Sequence, residues 1–275
     1  MTDAKSTLIA ELVSTGLEGR EARWLVEEFV PEGDCAANAA LLVAAERRRR
    51  GEPLQYIIGH WPFRTLDLDV DDRALIPRPE TEELVDVALR ELARRAPLNP
   101  LVVDLGTGSG AIGLSLLCEL DARGITANVI GLDESEDALA LARQNARKHG
   151  ALTASFLHSS WFGSLDSSLR GRVDLIVANP PYVDDAEFFN LDPVLHYEPR
   201  GALVAESAHG IGGFGDLEIV IGESIEWLVE DGVLVCEHGD VQREAVLGAA
   251  RVAGYREIAD LDDAAGRPRV LVARR

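Results

Sequence analysis

Leu101-Val102-Val103-Asp104-Leu105-Gly106-Thr107-Gly108-Ser109-Gly110 decides the fold. Its first five residues read as a buried strand and the glycine-spaced five as the turn that follows. Glycine adopts positive φ and lets backbone come within contact distance of a ligand. The helix expected from Ala111 would offer free N–H groups at its start. Dinucleotide folds share such a loop with others, so its surroundings must decide between them. Here the spacing is G-x-G-x-G followed by Ala111-Ile112-Gly113, not G-x-G-x-x-G. The next strand ends in Gly131-Leu132-Asp133, placing a carboxylate at a strand tip, where it can accept from both hydroxyls of a ribose or cap the following helix.

Outward from this stretch, strands and helices alternate. Strands are expected at residues 101–105, 127–132, 153–157, 173–178, 232–238, 255–260 and 269–273. Helices are expected near 111–121, 136–149, 216–229 and 240–253. The pattern is that of an α/β protein with a seven-stranded, mostly parallel sheet and helices on both faces.

A second signal is Asn179-Pro180-Pro181-Tyr182, after the aliphatic strand 173–178. Two prolines stop the strand and hold the backbone extended, forming a stiff lip at its carboxyl end. Asn179 offers one acceptor and two donors to a planar partner, and the Tyr182 ring can cover that partner's face. Trp161, just past the third strand, can pack on an adenine face or fill the core. The glycine loop with Asp133 points to an adenosine-type ligand. Together with the lip it matches a class I S-adenosylmethionine fold.

The net charge of −20 disfavours a polyanionic substrate. Arg47-Arg48-Arg49-Arg50 reads as a solvated helix end or as a patch for an acidic protein partner. No apolar run reaches the length of a membrane span, and no signal peptide is expected, since residues 1–5 lack the basic start and apolar core of one. Cys35, Cys118 and Cys236 lie far apart, fit a reducing cytoplasm and form no metal-ligand spacing; no metal is expected. His238, after a strand, reads better as a satisfied structural histidine than as a cleft residue.

Residues 4–50 read as three short helices broken at Pro31-Glu32-Gly33-Asp34, and residues 54–76 as a β-hairpin linker. Pro79 suits the first turn of a helix running to about Arg95, and Arg78 with Glu80 could line a site. The domains are therefore expected at residues 1–52 (helical docking bundle), 53–76 (hairpin) and 77–275.

Residues 101–113, Asp133 and residues 179–182 resemble class I methyltransferases. Five further segments sharpen this: residues 52–59, 76–82 (Ile-Pro-Arg-Pro-Glu-Thr-Glu), 197–199 (Tyr-Glu-Pro), 237–239 (Glu-His-Gly) and 266–270. With them, the chain from about residue 45 onward resembles the protein-(glutamine-N5) methyltransferases that act on peptide-chain release factors. The resemblance implies S-adenosylmethionine as cofactor, with Gly106, Thr107, Gly108, Ser109 and Gly110 around its methionine part, Asp133 on the ribose and Trp161 by the adenine. It implies that Asn179, Pro180, Pro181 and Tyr182 hold the glutamine of a Gly-Gly-Gln loop, with Asn179 also beside the cofactor. Glu198 is counted with the substrate-binding residues, as a support behind the lip, its alternative being a turn residue before Pro199. Two departures stand out: serine at position 160, where the family commonly has aspartate, and a short region before Arg47.

The expected mechanism follows from amide chemistry. An amide nitrogen is a poor nucleophile because its lone pair is delocalised into the carbonyl. The Asn179 side-chain oxygen and the Pro180 carbonyl would accept its two N–H bonds and orient it toward the methyl group. The expected protein is a cytoplasmic monomer whose partners are release factors, with no direct nucleic-acid or membrane contact. Alternatives are glutamine methylation of ribosomal protein L3 and adenine-N6 methylation of nucleic acid.

Overall fold

A computed structural model describes residues 2–31, 36 and 38–275, with the side chains of residues 2–4 excepted. Most of the expected break at Pro31–Asp34, and Cys35, therefore lie outside the described residues. The amino-terminal helices are α1 (Thr2–Ser14), α2 (Gly19–Phe29) and α3 (Ala39–Arg49). They close around Leu8, Leu12, Leu25, Val26 and Leu41. The arginine run is answered within this bundle: Arg47 pairs with Glu52, Arg48 with Glu21, and Arg49 and Arg50 with Glu46. Those charges brace the bundle, which leaves less of them for an outside partner.

The hairpin is shorter than expected. Strands β1 (His60–Phe63) and β2 (Leu66–Asp69) pair antiparallel, but Leu54–Ile58 forms helix α4. Its Leu54 and Ile57 join the bundle core. Pro53 stands at its start and Gly59 ends it in the left-handed region at φ 86°. Five residues are too few for a period of 2 to be told from one of 3.6, and here tertiary burial decides. Helix α5 (Thr81–Arg95) begins two residues after Pro79, so Pro79 precedes the first turn instead of sitting in it.

The carboxyl-terminal part holds β3 (Leu101–Leu105), α6 (Ala111–Asp121), β4 (Asn128–Asp133), α7 (Glu136–Lys148), β5 (Ala154–His158) and β6 (Val173–Ala178). A two-stranded pairing of β7 (Val183–Asp184) and β8 (Val204–Ala205) follows, flanking the one-turn helix α8 (Asp185–Phe188). Then come α9 (Gly215–Trp227), β9 (Leu228–Glu237), α10 (Arg243–Ala253), β10 (Glu257–Asp262) and β11 (Pro268–Arg274). The large sheet has the order β10-β11-β9-β6-β3-β4-β5, and β11 runs antiparallel to both its neighbours. One apolar layer packs α5 and α6 on the sheet, and another packs α9 and α10 on the opposite face. Strand β6 is buried at every position, as its unbroken aliphatic run requires.

Register fixes the site. Leu105 on β3 is level with Leu132 on β4 and with Ala178 on β6, and Ala178 is level with Cys236 on β9. The residues that follow, Gly106, Asp133, Asn179 and Glu237, therefore emerge at one edge. That edge is the crevice at the carboxyl ends of the strands, where the order reverses between β3 and β6.

Candidate active site

The glycine loop is tied to the neighbouring strand through its backbone. Thr107 N donates to Leu132 O at 2.9 Å, and Gly108 N donates to Asp133 Oδ2 at 2.8 Å. Gly108 makes that bond at φ 54°, a left-handed conformation that costs a side-chain-bearing residue energy. Asp133 Oδ1 accepts from Ser135 N at 2.9 Å, so each carboxylate oxygen holds one protein donor and keeps capacity for another. Burial raises the Asp133 pKa, and the backbone N–H groups of Ser135 and Gly108 oppose the rise. The cap of α7 is Ser135, whose hydroxyl accepts from Ala138 N, while Asp133 holds the Ser135 N–H and faces the cleft.

Behind the loop, Asp104 is fully buried. Its Oδ2 accepts from Thr107 Oγ1 at 2.6 Å and Gly113 N at 3.0 Å, while Oδ1 has no partner. Burial pushes this carboxyl up to about 7.

The loop and Asp133 line a cavity of about 420 Å³. Gly106, Thr107, Gly108, Ser109, Asp133, Trp161, Asn179 and Pro181 are all in its wall, while Gly110 stands just behind as the residue entering α6. Trp161 holds φ 43° and its indole lies against Gly106, where an added Cβ would come 3.9 Å from the ring. The carboxyl of Asp216 on α9 shares this wall with the indole; burial raises its pKa, and the indole opposes the rise. Arg73, Arg78, Thr81 and Asp216 share this wall but were absent from the residues expected to bind cofactor. Their sequence neighbourhoods carry no local sign of it, apart from the charged pair noted around Pro79.

A second cavity, of about 160 Å³, lies across Asn179. Asn179, Pro180, Pro181 and Tyr182 line it together with Leu191, Leu195 and Glu237. Asn179 and Pro181 belong to both walls, with Leu75, Arg78 and Ala202, so the lip forms part of the partition. Asn179 Nδ2 donates to Thr81 Oγ1 at 3.3 Å, and Thr81 Oγ1 donates to Glu237 Oε2 at 2.7 Å. The Tyr182 hydroxyl lies 3.5 Å from Glu237 Oε1, and burial pushes it up to about 12. Behind the lip, Gly213 lets another segment pass: a Cβ there would fall 2.2 Å from Tyr182 O.

Glu198 is placed differently from the lip residues. It lines neither cavity, and its side chain is 1% exposed beneath residues 74–78, which roof the larger one. Oε2 accepts from Ile76 N at 2.9 Å and Oε1 pairs with Arg78. The other end of that roof is held by Tyr56, whose hydroxyl donates to Ala74 O at 2.8 Å. Glu198 is therefore a support for the roof and not a wall of the acceptor slot.

His238 is buried, with Nε2 2.6 Å from Asp260 Oδ2 and Nδ1 2.8 Å from Gly239 O, a structural placement. Among the described residues, no group of three or more His, Cys, Asp or Glu stands in a metal-holding arrangement. None of their helices is long and apolar enough to cross a membrane.

Comparison with known proteins agrees with this geometry. The model of a methyltransferase domain family matches residues 99–258. A release factor glutamine methyltransferase from Aliivibrio fischeri is 39% identical over 244 residues, 89% of this chain and 80% of that protein. One of the same name from Coxiella burnetii is 40% identical over 230 residues, 84% of this chain and 78% of that protein. Among solved structures, a ribosomal protein L11 methylase from Lactobacillus delbrueckii subsp. bulgaricus shares the fold. It has a TM-score of 0.50 and 21% identity over 74% of this chain and 82% of its own. With its extent of match to both relatives and its strand-edge glycine loop and lip in place, this chain belongs to the release factor glutamine methyltransferase family.

Proposed function

We propose that this protein methylates the side-chain amide nitrogen of the glutamine in the Gly-Gly-Gln motif of peptide-chain release factors, with S-adenosylmethionine as donor. The observation that carries the reading is the partition: Asn179 and Pro181 separate a nucleoside-sized cavity from a smaller slot lined by prolines and a tyrosine. The curated relatives bear the name of this activity.

The residues present fit the donor. The loop of Gly106, Thr107, Gly108, Ser109 and Gly110 would hold its methionine part, and Trp161 stands over Gly106. Asp133 has an unused acceptor site on each oxygen for a ribose. When bound, S-adenosylmethionine supplies a methyl group activated by its sulfonium. The chain's own part is placement. Asn179 Oδ1 and the Pro180 carbonyl accept the two N–H bonds of the glutamine amide and turn its lone pair toward the larger cavity. Tyr182 and the prolines cover the amide's faces. As nitrogen gains the methyl group it becomes cationic, and both acceptors stabilise that charge before the proton leaves to water.

Residues 1–52 would dock the protein substrate, with the hairpin joining them to the domain at 77–275. Under this reading the protein works as a monomer in the cytoplasm and touches no nucleic acid directly. The adenine-N6 reading gains nothing from a chain of net charge −20. The test is to incubate the protein with labelled donor and purified release factors, ribosomal protein L3 and DNA, and to locate the mark by mass spectrometry. Label on the Gly-Gly-Gln glutamine is expected; label confined to another substrate would overturn the reading.

A further inference from the structure

The Thr81 hydroxyl stands between two groups, 2.7 Å from Glu237 Oε2 and 3.3 Å from Asn179 Nδ2. An ionised carboxylate only accepts, so the single hydroxyl proton of Thr81 goes to Glu237. The Thr81 oxygen then presents lone pairs, and the end of the Asn179 amide that meets it must be the NH2 end. Because the amide is planar, Oδ1 is turned away from Thr81, as an acceptor for whatever lies beside the lip. The reversed amide would set oxygen against oxygen with no proton between them. Thr81 is 4% exposed and Glu237 2%, so water does not compete for these bonds. The Tyr182 hydroxyl faces the other oxygen of Glu237 at 3.5 Å, leaving that carboxylate an acceptor on both sides.

We infer that Thr81 and Glu237 are positioning residues: acting through Asn179, they decide which end of its amide meets the acceptor nitrogen. The inference rests on the glutamine-methylation reading for its activity assay and on the hydrogen-bond directions alone for its structural part. Direction comes from charge. The groups facing Glu237 are Thr81, Tyr182, Arg269 of β11, Glu80 before α5 and the adjacent His238. Burial raises the carboxyl above its ordinary range, while the Thr81 hydroxyl and Arg269 hold it down. Once protonated, Glu237 can donate to Thr81 and release the Thr81 proton toward Asn179, which favours the reversed amide.

Three variants and one titration test this. Thr81→Val keeps the shape and removes the hydroxyl; kcat on release factor should fall about 10- to 100-fold, the effect of a lost hydrogen bond to a charged group. The Kd for S-adenosylhomocysteine should stay within about twofold, and Thr81→Ser should recover kcat to within about threefold of wild type. Wild-type kcat should decline on acidification with an inflection above the ordinary carboxylate range, and Glu237→Gln should lack that inflection. Normal kcat in Thr81→Val, or a Thr81→Ser as impaired as Thr81→Val, would overturn the inference. Independently of any substrate, a carbon-13 titration of the Glu237 carboxyl, assigned by loss of its signal in Glu237→Gln, should find it ionised at about pH 8 and titrating higher in Thr81→Val. A Glu237 still protonated at that pH reverses the bond directions and defeats the inference whatever the enzyme methylates. The predicted titration in a wild type that leaves release factors unmodified would support the positioning pair while sinking the glutamine reading.

Discussion

The two halves of the cleft are built by opposite means. The cofactor half is built around one contiguous piece, from β3 through the glycine loop to α6, tied by a backbone N–H to a strand tip 25 positions on. The lip half is assembled from side chains distant in sequence: Thr81 meets Asn179 across 98 positions and Glu237 across 156, and Glu198 reaches Ile76 across 122. A cradle made of backbone depends on conformation and on few side chains. A slot made of side chains depends on each member keeping its partner, because a buried polar group left alone costs more than the bond it made. Truncations on the lip side should therefore strike turnover, and those on the loop side should strike cofactor affinity.

The largest expected effect tests that division. Asn179→Ala should reduce methyl transfer by about 100- to 1000-fold, the scale of losing a preorganised transition-state contact. Calorimetry with S-adenosylhomocysteine should find binding nearly unchanged. Near-normal turnover would erase the distinction between the halves. Asp133→Ala should do the reverse, weakening cofactor binding by about 1.5–3 kcal/mol, the range for a hydrogen bond to a charged group. Unchanged affinity would remove Asp133 from the cofactor half.

Glu198→Ala sharpens the comparison, since Glu198 braces the roof shared by both halves. Breaking a fully buried ion pair costs about 3–5 kcal/mol, but Arg78 is partly open to water, so about 2 kcal/mol of stability should be lost. That corresponds to a fall in Tm of about 4–8 °C. A thermal scan that showed no change would mean the roof is held from the Tyr56 side alone.

The last prediction concerns Asp104, behind the cofactor half. Its folded-state pKa of about 7 lies above the ordinary 3.8, so the folded protein binds this proton more tightly than the unfolded chain. The stability it contributes is fully present below 3.8 and is lost as pH rises through about 7. Asp104→Asn should flatten the Tm-versus-pH curve between those values. An unaltered curve would show that the loop holds Asp104 ionised throughout.

The same contrast explains what the sequence disclosed. The parallel sheet was readable because aliphatic runs and helical periods are local patterns, and each of the seven expected strands overlaps a strand of the large sheet. The glycine loop and the lip were readable because each is a contiguous segment. Helix α4 was not, since five residues cannot establish a period and the packing of Leu54 and Ile57 in the bundle decides it. Thr81 and Glu237 lay within segments that had been singled out, yet their meeting depends on β6–β9 register and on how α5 lies on the sheet. Neither leaves a local trace. Glu198 was counted with the substrate-binding residues, as a support behind the lip. Its side chain turns the other way because the backbone N–H of Ile76 and the Arg78 guanidinium need an acceptor there.

The stacking of Trp161 on Gly106 has a practical corollary. Trp227 is buried in the core, and Trp24 and Trp61 sit edge to face 5.1 Å apart on the bundle side, so their emission should ignore events in the cleft. Trp161 lines the larger cavity itself, which equips the protein with a built-in optical reporter. Ligand titration should change the fluorescence of the wild type and leave that of Trp161→Phe flat, allowing occupancy to be followed without any added label.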